Sequence, residues 1–339
     1  MIDLNTLWFL LIGFFLIGYV LLDGFDLGVG ILSLFARDPQ EKRVYYHAIG
    51  PVWDGNEVWL ITGGAALFAA FPAVYATIFS GFYLAFILFL VGLIARAIAL
   101  EYRGKVSSPR WWRFWDWCFG LGSLIPALLL GVALGNILRG VPIDAHGQWA
   151  GSFWGLLNPY SLLLGILSLV TLTLHGAIYL AMKVEGDLQS RLHRWIVNSW
   201  TVFVILYVLT SLATAATSRF LFQGLSGHPF FVILTLVMAV SLIMIPRFVR
   251  SRHYGRAFLA SSLTIAAMLG IAAVSLYPRM VPSRPDLAHS LTIYNASSSP
   301  TTLSAMLIIS LIGMPFVLWY TIYIYRTFRG KVKLEEGGY

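Results

Sequence analysis

Apolar residues in this chain fall in long, nearly unbroken runs separated by short polar segments. They do not alternate with polar residues as in a half-buried strand or one-sided helix. A bilayer core takes about 20 mainly apolar residues per helix. Runs of that kind cover Leu7–Phe35, Pro51–Phe71, Val74–Leu100, Trp115–Leu138, Tyr160–Met182, Trp195–Ala215, Pro229–Pro246, Ala257–Tyr277 and Leu303–Tyr325. The pattern predicts an all-α integral membrane protein with about nine transmembrane helices. Only Phe71-Pro72-Ala73 divides the second run from the third, and proline there forbids one continuous helix.

Basic residues alternate with the runs. Arg37, Lys42 and Arg43 follow the first; Arg103, Lys105, Arg110 and Arg113 the third; Lys183, Arg191 and Arg194 the fifth. Arg247, Arg250, Arg252 and Arg256 follow the seventh, and Arg326, Arg329, Lys331 and Lys333 form the tail. The opposite connections hold only Arg139, Arg219, Arg279 and Arg284. The positive-inside rule therefore predicts an outside N-terminus and a cytoplasmic C-terminus. A miscounted span would break the alternation. Two connections on the outside are long, Gly140–Pro159 and Pro278–Thr302, and are expected to be ordered loops or partner contacts. Trp8, Trp111, Trp112, Trp195 and Trp319 lie near run ends, where interfacial anchors are expected.

Composition narrows the function classes. Only 11% of the 339 residues are charged, and the mean hydropathy is +0.78. The net charge of +8 does not predict a nucleic-acid partner, because the basic residues are dispersed between apolar runs. One cysteine, Cys118, rules out an internal disulfide, a thiolate cluster and paired-cysteine haem attachment. The first residues have no basic segment and no clear cleavage site, so the first run is expected to be a retained anchor.

Soluble-enzyme motifs are missing, and the chemistry-bearing signal is charge inside the membrane. Asp23 and Asp26 share one face of the first helix, and Asp54 and Glu57 have the same spacing at the start of the second. Arg96 and Glu101 lie near the end of the third, and Asp116 opens the fourth. At 1.5 Å per residue Asp23 and Asp26 sit roughly 13–18 Å from the cytoplasmic end of their helix. All seven groups then occupy the cytoplasmic half of the first four helices. Such carboxylates mark proton or ion pathways, or else form an ion-paired cluster that fixes helices, with Arg96 balancing charge. Asp54, Glu57 and Asp116 are also favoured by helix N-termini, which leaves Asp23 and Asp26 as the stronger relay candidates. Gly24 with Gly28, and Gly131 with Gly135, form spaced pairs that permit close helix packing. His175 is the single histidine deep in a run and a minor candidate for haem ligation; a hydrogen-bonded interior role is the commoner one. No metal site and no haem ligand are expected on this chain.

The runs Asp23–Gly30 (DGFDLGVG) and Pro51–Leu60 (PVWDGNEVWL) resemble subunit II of the cytochrome bd-type quinol oxidases, including their cyanide-insensitive relatives. The resemblance continues through Ala65–Tyr83, Trp115-Asp116-Trp117, Gly131–Pro142, Leu157-Asn158-Pro159, Ser290-Leu291-Thr292 and Asn295–Ser298. It implies two four-helix bundles plus one further helix: residues 1–138 with the acidic cluster, 160–277, then 303–325 and a cytoplasmic tail 326–339. It implies a multi-pass subunit of the bacterial cytoplasmic membrane, paired with a haem-bearing subunit I. That partner would carry two b-type haems, a d-type or third b-type haem, and the quinol-oxidising loop. Small single-helix subunits, membrane lipids and a bound quinone or lipid are further implied partners. Acidic residues at the positions of Asp23 and Asp54 are associated in the family with a proton route at the subunit interface. The chain departs from the best-known member at Glu57, Glu101 and His175, and in a shorter loop between the sixth and seventh spans.

Three readings of the acidic cluster follow: a proton path in a terminal oxidase subunit, the coupling site of an ion-driven secondary transporter, and a scaffold that only holds helices and the partner. A transporter would be expected to carry a centrally broken helix pair.

Overall fold

The structure is a computed structural model describing residues 3–332; Lys333 and the rest of the expected tail lie outside the described residues. Twelve α-helices follow one another: α1 (Leu4–Ser33), α2 (Pro39–Ile49), α3 (Trp53–Ala70), α4 (Pro72–Gly81), α5 (Tyr83–Tyr102), α6 (Pro109–Arg139), α7 (Phe153–Leu156), α8 (Pro159–Lys183), α9 (Gly186–Thr217), α10 (Pro229–Arg250), α11 (Tyr254–Leu276) and α12 (Pro300–Thr327). Among the described residues eight helices are long and apolar enough to cross a membrane, and the count is nine if the bent pair α3–α4 is one span.

Local chemistry explains where the helices depart from the hydropathy runs. The expected third span, Val74–Leu100, is two helices. Phe71 leaves the helical region (φ −134°, ψ 66°), Pro72 opens α4, and the axes of α3 and α4 meet at 119°. Phe82 (φ −100°, ψ 18°) separates α4 from α5. The α3–α4 break lies at the end of the span and not at its centre.

The loop expected after the first span contains α2. Asp38 accepts the Glu41 amide at 2.8 Å and Pro39 stands at the first helical position, a start signal legible in Asp38-Pro39-Gln40-Glu41. The helices α6 and α9 also extend beyond the runs at their basic ends, so Arg110, Arg113, Arg191 and Arg194 are on helices. Hydropathy reports the lipid-facing length, whereas prolines, glycines and caps set where a helix stops.

In the packing, α1, α6 and α8 are central. The first helix packs on α3, α6 and α8, and α5 on α6; α8 packs on α6, α9 and α11, and α10 on α11. This neighbour pattern is compatible with two four-helix groups meeting along α1, α6 and α8. The last helix, α12, touches α1 and α3 and buries only Leu303. Trp8 is not an interfacial anchor as expected: it is buried, and its indole donates to the Leu303 carbonyl at 3.0 Å, fixing α1 to α12.

The close approach of the central helices depends on missing side chains. A Cβ on Gly176 would lie 2.6 Å from the Gly28 carbonyl carbon, and one on Gly28 would lie 2.9 Å from Gly176 Cα. A Cβ on Gly131 would come within 2.8 Å of Gly165 Cα, and one on Gly135 equally close to Ser161 Cα. Gly24 faces Leu172. Thus Gly24, Gly28, Gly131 and Gly135 all meet α8, where Gly165 and Gly176 supply the partner surface.

The outer loops are tied to one another. Strands β1 (Arg279–Val281) and β2 (Leu291–Thr292) pair antiparallel, and Val141 bridges to Ser283.

Gly28→Ala is expected to lower stability by about 1–3 kcal/mol, the usual range for overpacking. Gly13→Ala, which meets nothing within 4 Å, is expected to be neutral. Thermal unfolding of the purified protein in mild detergent, compared between the two variants, checks this.

Candidate functional site

Arg96, on the inner face of α5, is a fully buried charge, 0% exposed. Two glycines put it there. A Cβ on Gly122 of α6 would lie 2.6 Å from the Gly92 carbonyl oxygen and 2.9 Å from the Arg96 amide, so α5 lies directly on α6 and Arg96 turns toward α1. Its Nη2 donates to Asp23 Oδ1 at 2.7 Å and also to Glu57 Oε1. Asp23 is 0% exposed, and the Glu57 side chain 23%. One guanidinium therefore joins α1, α3 and α5.

A second arm begins one turn further along α1. Asp26, also 0% exposed, accepts from Asn56 Nδ2 at 2.7 Å, and Asn56 Oδ1 accepts from the Tyr325 hydroxyl at 2.9 Å. The site thus reaches α12. Trp59 packs across Gly18 of α1, where an added Cβ would overlap the indole ring, and this seats the start of α3 against the Asp23–Asp26 face. Among the described residues, Asp23 Oδ2, Asp26 Oδ1, Arg96 Nε and Nη1 and Trp59 Nε1 are buried and make no hydrogen bond within the chain. Buried polar atoms are normally satisfied, so these atoms retain capacity for further partners.

Not every residue singled out in the sequence joins this site. Asp54 is exposed on α3 and Glu101 is exposed at the end of α5; neither makes an ion pair or side-chain hydrogen bond among the described residues. Asp116 belongs to a separate cluster, accepting from Arg103 Nε at 2.6 Å and Lys42 Nζ at 3.1 Å. Arg103 is buried beneath the Tyr46 ring and is not a free loop charge. Nearby, Glu41 of α2 pairs with Arg191 of α9. Hence α2 and its neighbours form a belt of ion pairs at the basic ends of the helices.

Asn56, Tyr325 and Trp59 were not singled out in advance. Asn56 stands between Asp54 and Glu57, so its position was open to notice. Tyr325 lies 269 residues from its partner, and no local pattern announces that contact. Both ring nitrogens of His175 are engaged: Nδ1 with Ser261 Oγ at 2.7 Å and Nε2 with the Leu21 carbonyl at 3.1 Å. The ring stacks on Phe258. Iron ligation would break one of these hydrogen bonds. Among the described residues no group of three or more His, Cys, Asp or Glu is placed to hold a metal ion.

A family model described as cytochrome bd terminal oxidase subunit II matches residues 4–328. The chain belongs to that family. It is 36% identical over 338 residues to the cytochrome bd ubiquinol oxidase subunit 2 of Bacillus subtilis (strain 168), covering 99% of each chain. It is 35% identical over 365 residues to the cytochrome bd-I ubiquinol oxidase subunit 2 of Escherichia coli (strain K12), covering 98% of this chain and 96% of the relative. A chain of the bd oxidase from Geobacillus thermodenitrificans has the same fold, with a TM-score of 0.81 at 18% identity, over 96% of this chain and 99% of that one. As a bd-type subunit II, the chain is a component of a membrane-bound oxidoreductase complex. Family membership replaces the transporter reading.

Arg96→Gln should strand the buried Asp23 carboxyl and the partly buried Glu57 carboxyl and cost about 3–5 kcal/mol, the range for breaking a buried pair on one side. Adding Asp23→Asn and Glu57→Gln to that variant removes the stranded charges and should recover most of the loss. Yields of folded protein by size-exclusion chromatography check both; a triple variant no better than Arg96→Gln refutes the charge argument.

Proposed function

We propose that this chain is the non-haem subunit of a bd-type terminal quinol oxidase, stabilising a haem-bearing subunit I and furnishing a proton path from the cytoplasmic side. The complex would oxidise quinol and reduce dioxygen to water, with its haems, two b-type and a d-type or third b-type, on the partner. The names of the relatives, ubiquinol oxidase subunits, support the substrate class. The alternation of basic segments supports an outside N-terminus and a cytoplasmic C-terminus in a bacterial cytoplasmic membrane.

The observation that carries the proton-path reading is a single guanidinium facing Asp23 and Glu57, with Asp26 one turn away. A site with more carboxyls than cations exchanges protons without losing all of its counter-charge. The unused hydrogen-bonding atoms lie on both arms and offer water-bridged transfer between them. Glu57, the partly exposed member, stands at the mouth. Asp54 is one turn nearer the basic end on the exposed face of α3 and would collect protons at the subunit interface. Asp23 and Asp26 would carry them inward while Arg96 holds the geometry. Tyr325 and Asn56 would orient Asp26. Asp116, with Lys42 and Arg103, would balance charge at the entrance, and Glu101 would add to its negative field.

A pure scaffold predicts the opposite order of damage, with assembly failing before turnover. Asp54 separates the two readings because it makes no contact that holds this fold. Asp54→Ala is expected to leave the haem spectrum and subunit content of the purified complex intact while slowing oxygen consumption by about tenfold, a barrier increase near 1.4 kcal/mol. Glu57→Gln, which keeps a side-chain oxygen for Arg96, should slow turnover at least as much. Wild-type rates in both variants, with full assembly, would leave the scaffold reading in place.

A further inference from the structure

A second polar site lies at the other end of α6, where the helix ends at Arg139. Gly140 (φ +85°) turns the chain back, a conformation that favours glycine. Val141 donates its amide to the Pro282 carbonyl at 3.0 Å, and Arg284 donates its amide to the Val141 carbonyl at 2.9 Å. These bonds pin Arg284 beside Arg139. Both arginines line one cavity of about 220 Å³ together with Asn136, Trp149, Ser152 and Leu156.

Neither guanidinium has a carboxylate or a hydrogen-bond acceptor among the described residues. The acids of the two surrounding loops, Asp144 and Asp286, pair with backbone amides and with neither arginine. Asp144 Oδ1 accepts the amides of His146 and Gln148, each at 2.9 Å, and the Gln148 amide leads in holding this carboxyl below the usual range. Asp286 Oδ1 accepts the Ala288 amide at 2.8 Å. Two like charges sharing a cavity repel, and an anion between them relieves that repulsion. Arginine forks match the oxygens of a phosphate group in particular.

The surroundings indicate how such a group arrives. One wall is α7, and Trp154 on that helix is 76% exposed. An exposed tryptophan next to a basic cavity at a helix end is the arrangement expected at headgroup depth. Asn136 fixes this wall: its Nδ2 donates to the Leu156 carbonyl at 2.9 Å, and its Oδ1 accepts from Asn158 at 3.0 Å.

We propose that the Arg139–Arg284 cavity binds a phosphate group, presented by a phospholipid headgroup of the leaflet on this face. This site is remote in the fold from the Arg96 cluster and does not depend on the proton-path reading.

The test uses the intact complex in an uncharged detergent, titrated with phosphatidylglycerol and followed by native mass spectrometry. Replacing both arginines (Arg139→Gln with Arg284→Gln) is expected to weaken retention of the lipid about tenfold, as loss of charge-assisted contacts implies. The paired lysine replacements should fall between that variant and wild type. Inorganic phosphate is added in parallel. Failure of inorganic phosphate to displace the lipid supports the headgroup. Displacement, together with phosphate binding that the double variant lacks, overturns the lipid assignment in favour of a free anion. Should the double variant fail to assemble, Arg284→Gln alone, at an exposed side chain, must still weaken retention. Unchanged retention in an assembled variant overturns the site.

Discussion

The half of this subunit nearer the basic helix ends is organised by one buried cation, Arg96. Arg96 sits where lipid, helix backbone and apolar side chains offer it nothing, and carboxyls from α1 and α3 supply its partners. A lone guanidinium at that depth would cost several kcal/mol, and so would Asp23 alone; each makes the other tolerable. The pairing dictates that α1, α3 and α5 stay in register along the membrane normal. A shift of one residue in any of them would separate the charges. Asp26, Asn56 and Tyr325 then extend the polar column to α12, which otherwise presents apolar side chains on nearly all of its surface.

That pairing requires close packing, and glycine provides it. Between lipid-solvated helices there is little hydrophobic drive, so contact area and backbone approach decide association. Gly92 with Gly122 brings α5 onto α6, and Gly28 with Gly176 brings α1 onto α8. The first contact delivers Arg96 to the centre; the second closes the opposite side of α1. Belts of charge at the helix ends, Asp116 with Lys42 and Arg103 and Glu41 with Arg191, then tie the amphipathic α2 across the bases of the transmembrane helices.

Acidic residues divide accordingly into those the fold encloses and those it leaves on its surface. Asp23, Asp26 and Glu57 converge on one polar space, whereas Asp54 and Glu101 face outward. On the proposed reading, the outward acids would be the ones a second subunit meets. An uptake path shared between two chains needs both kinds: surface groups that exchange with water and buried groups that keep the path from leaking.

The sequence by itself determined the class of molecule and, to within the bent α3–α4 pair, how many helices can cross a membrane. Lipid imposes a length of apolar chain that composition cannot disguise, and motif runs such as DGFDLGVG carry the family likeness. It also located Asp23, Asp26, Glu57 and Arg96 at similar depth, because rise per residue is fixed in a helix. Only the tertiary structure decided which of these touch. Depth fixes one coordinate and not the angle about the helix axis, so Asp54 and Glu57, three residues apart, end on different surroundings. It also decided the break at Phe82, the burial of Trp8, and the partnership of Asn56 with Tyr325. Those depend on contacts between segments far apart in the chain, and packing, not local pattern, selects them.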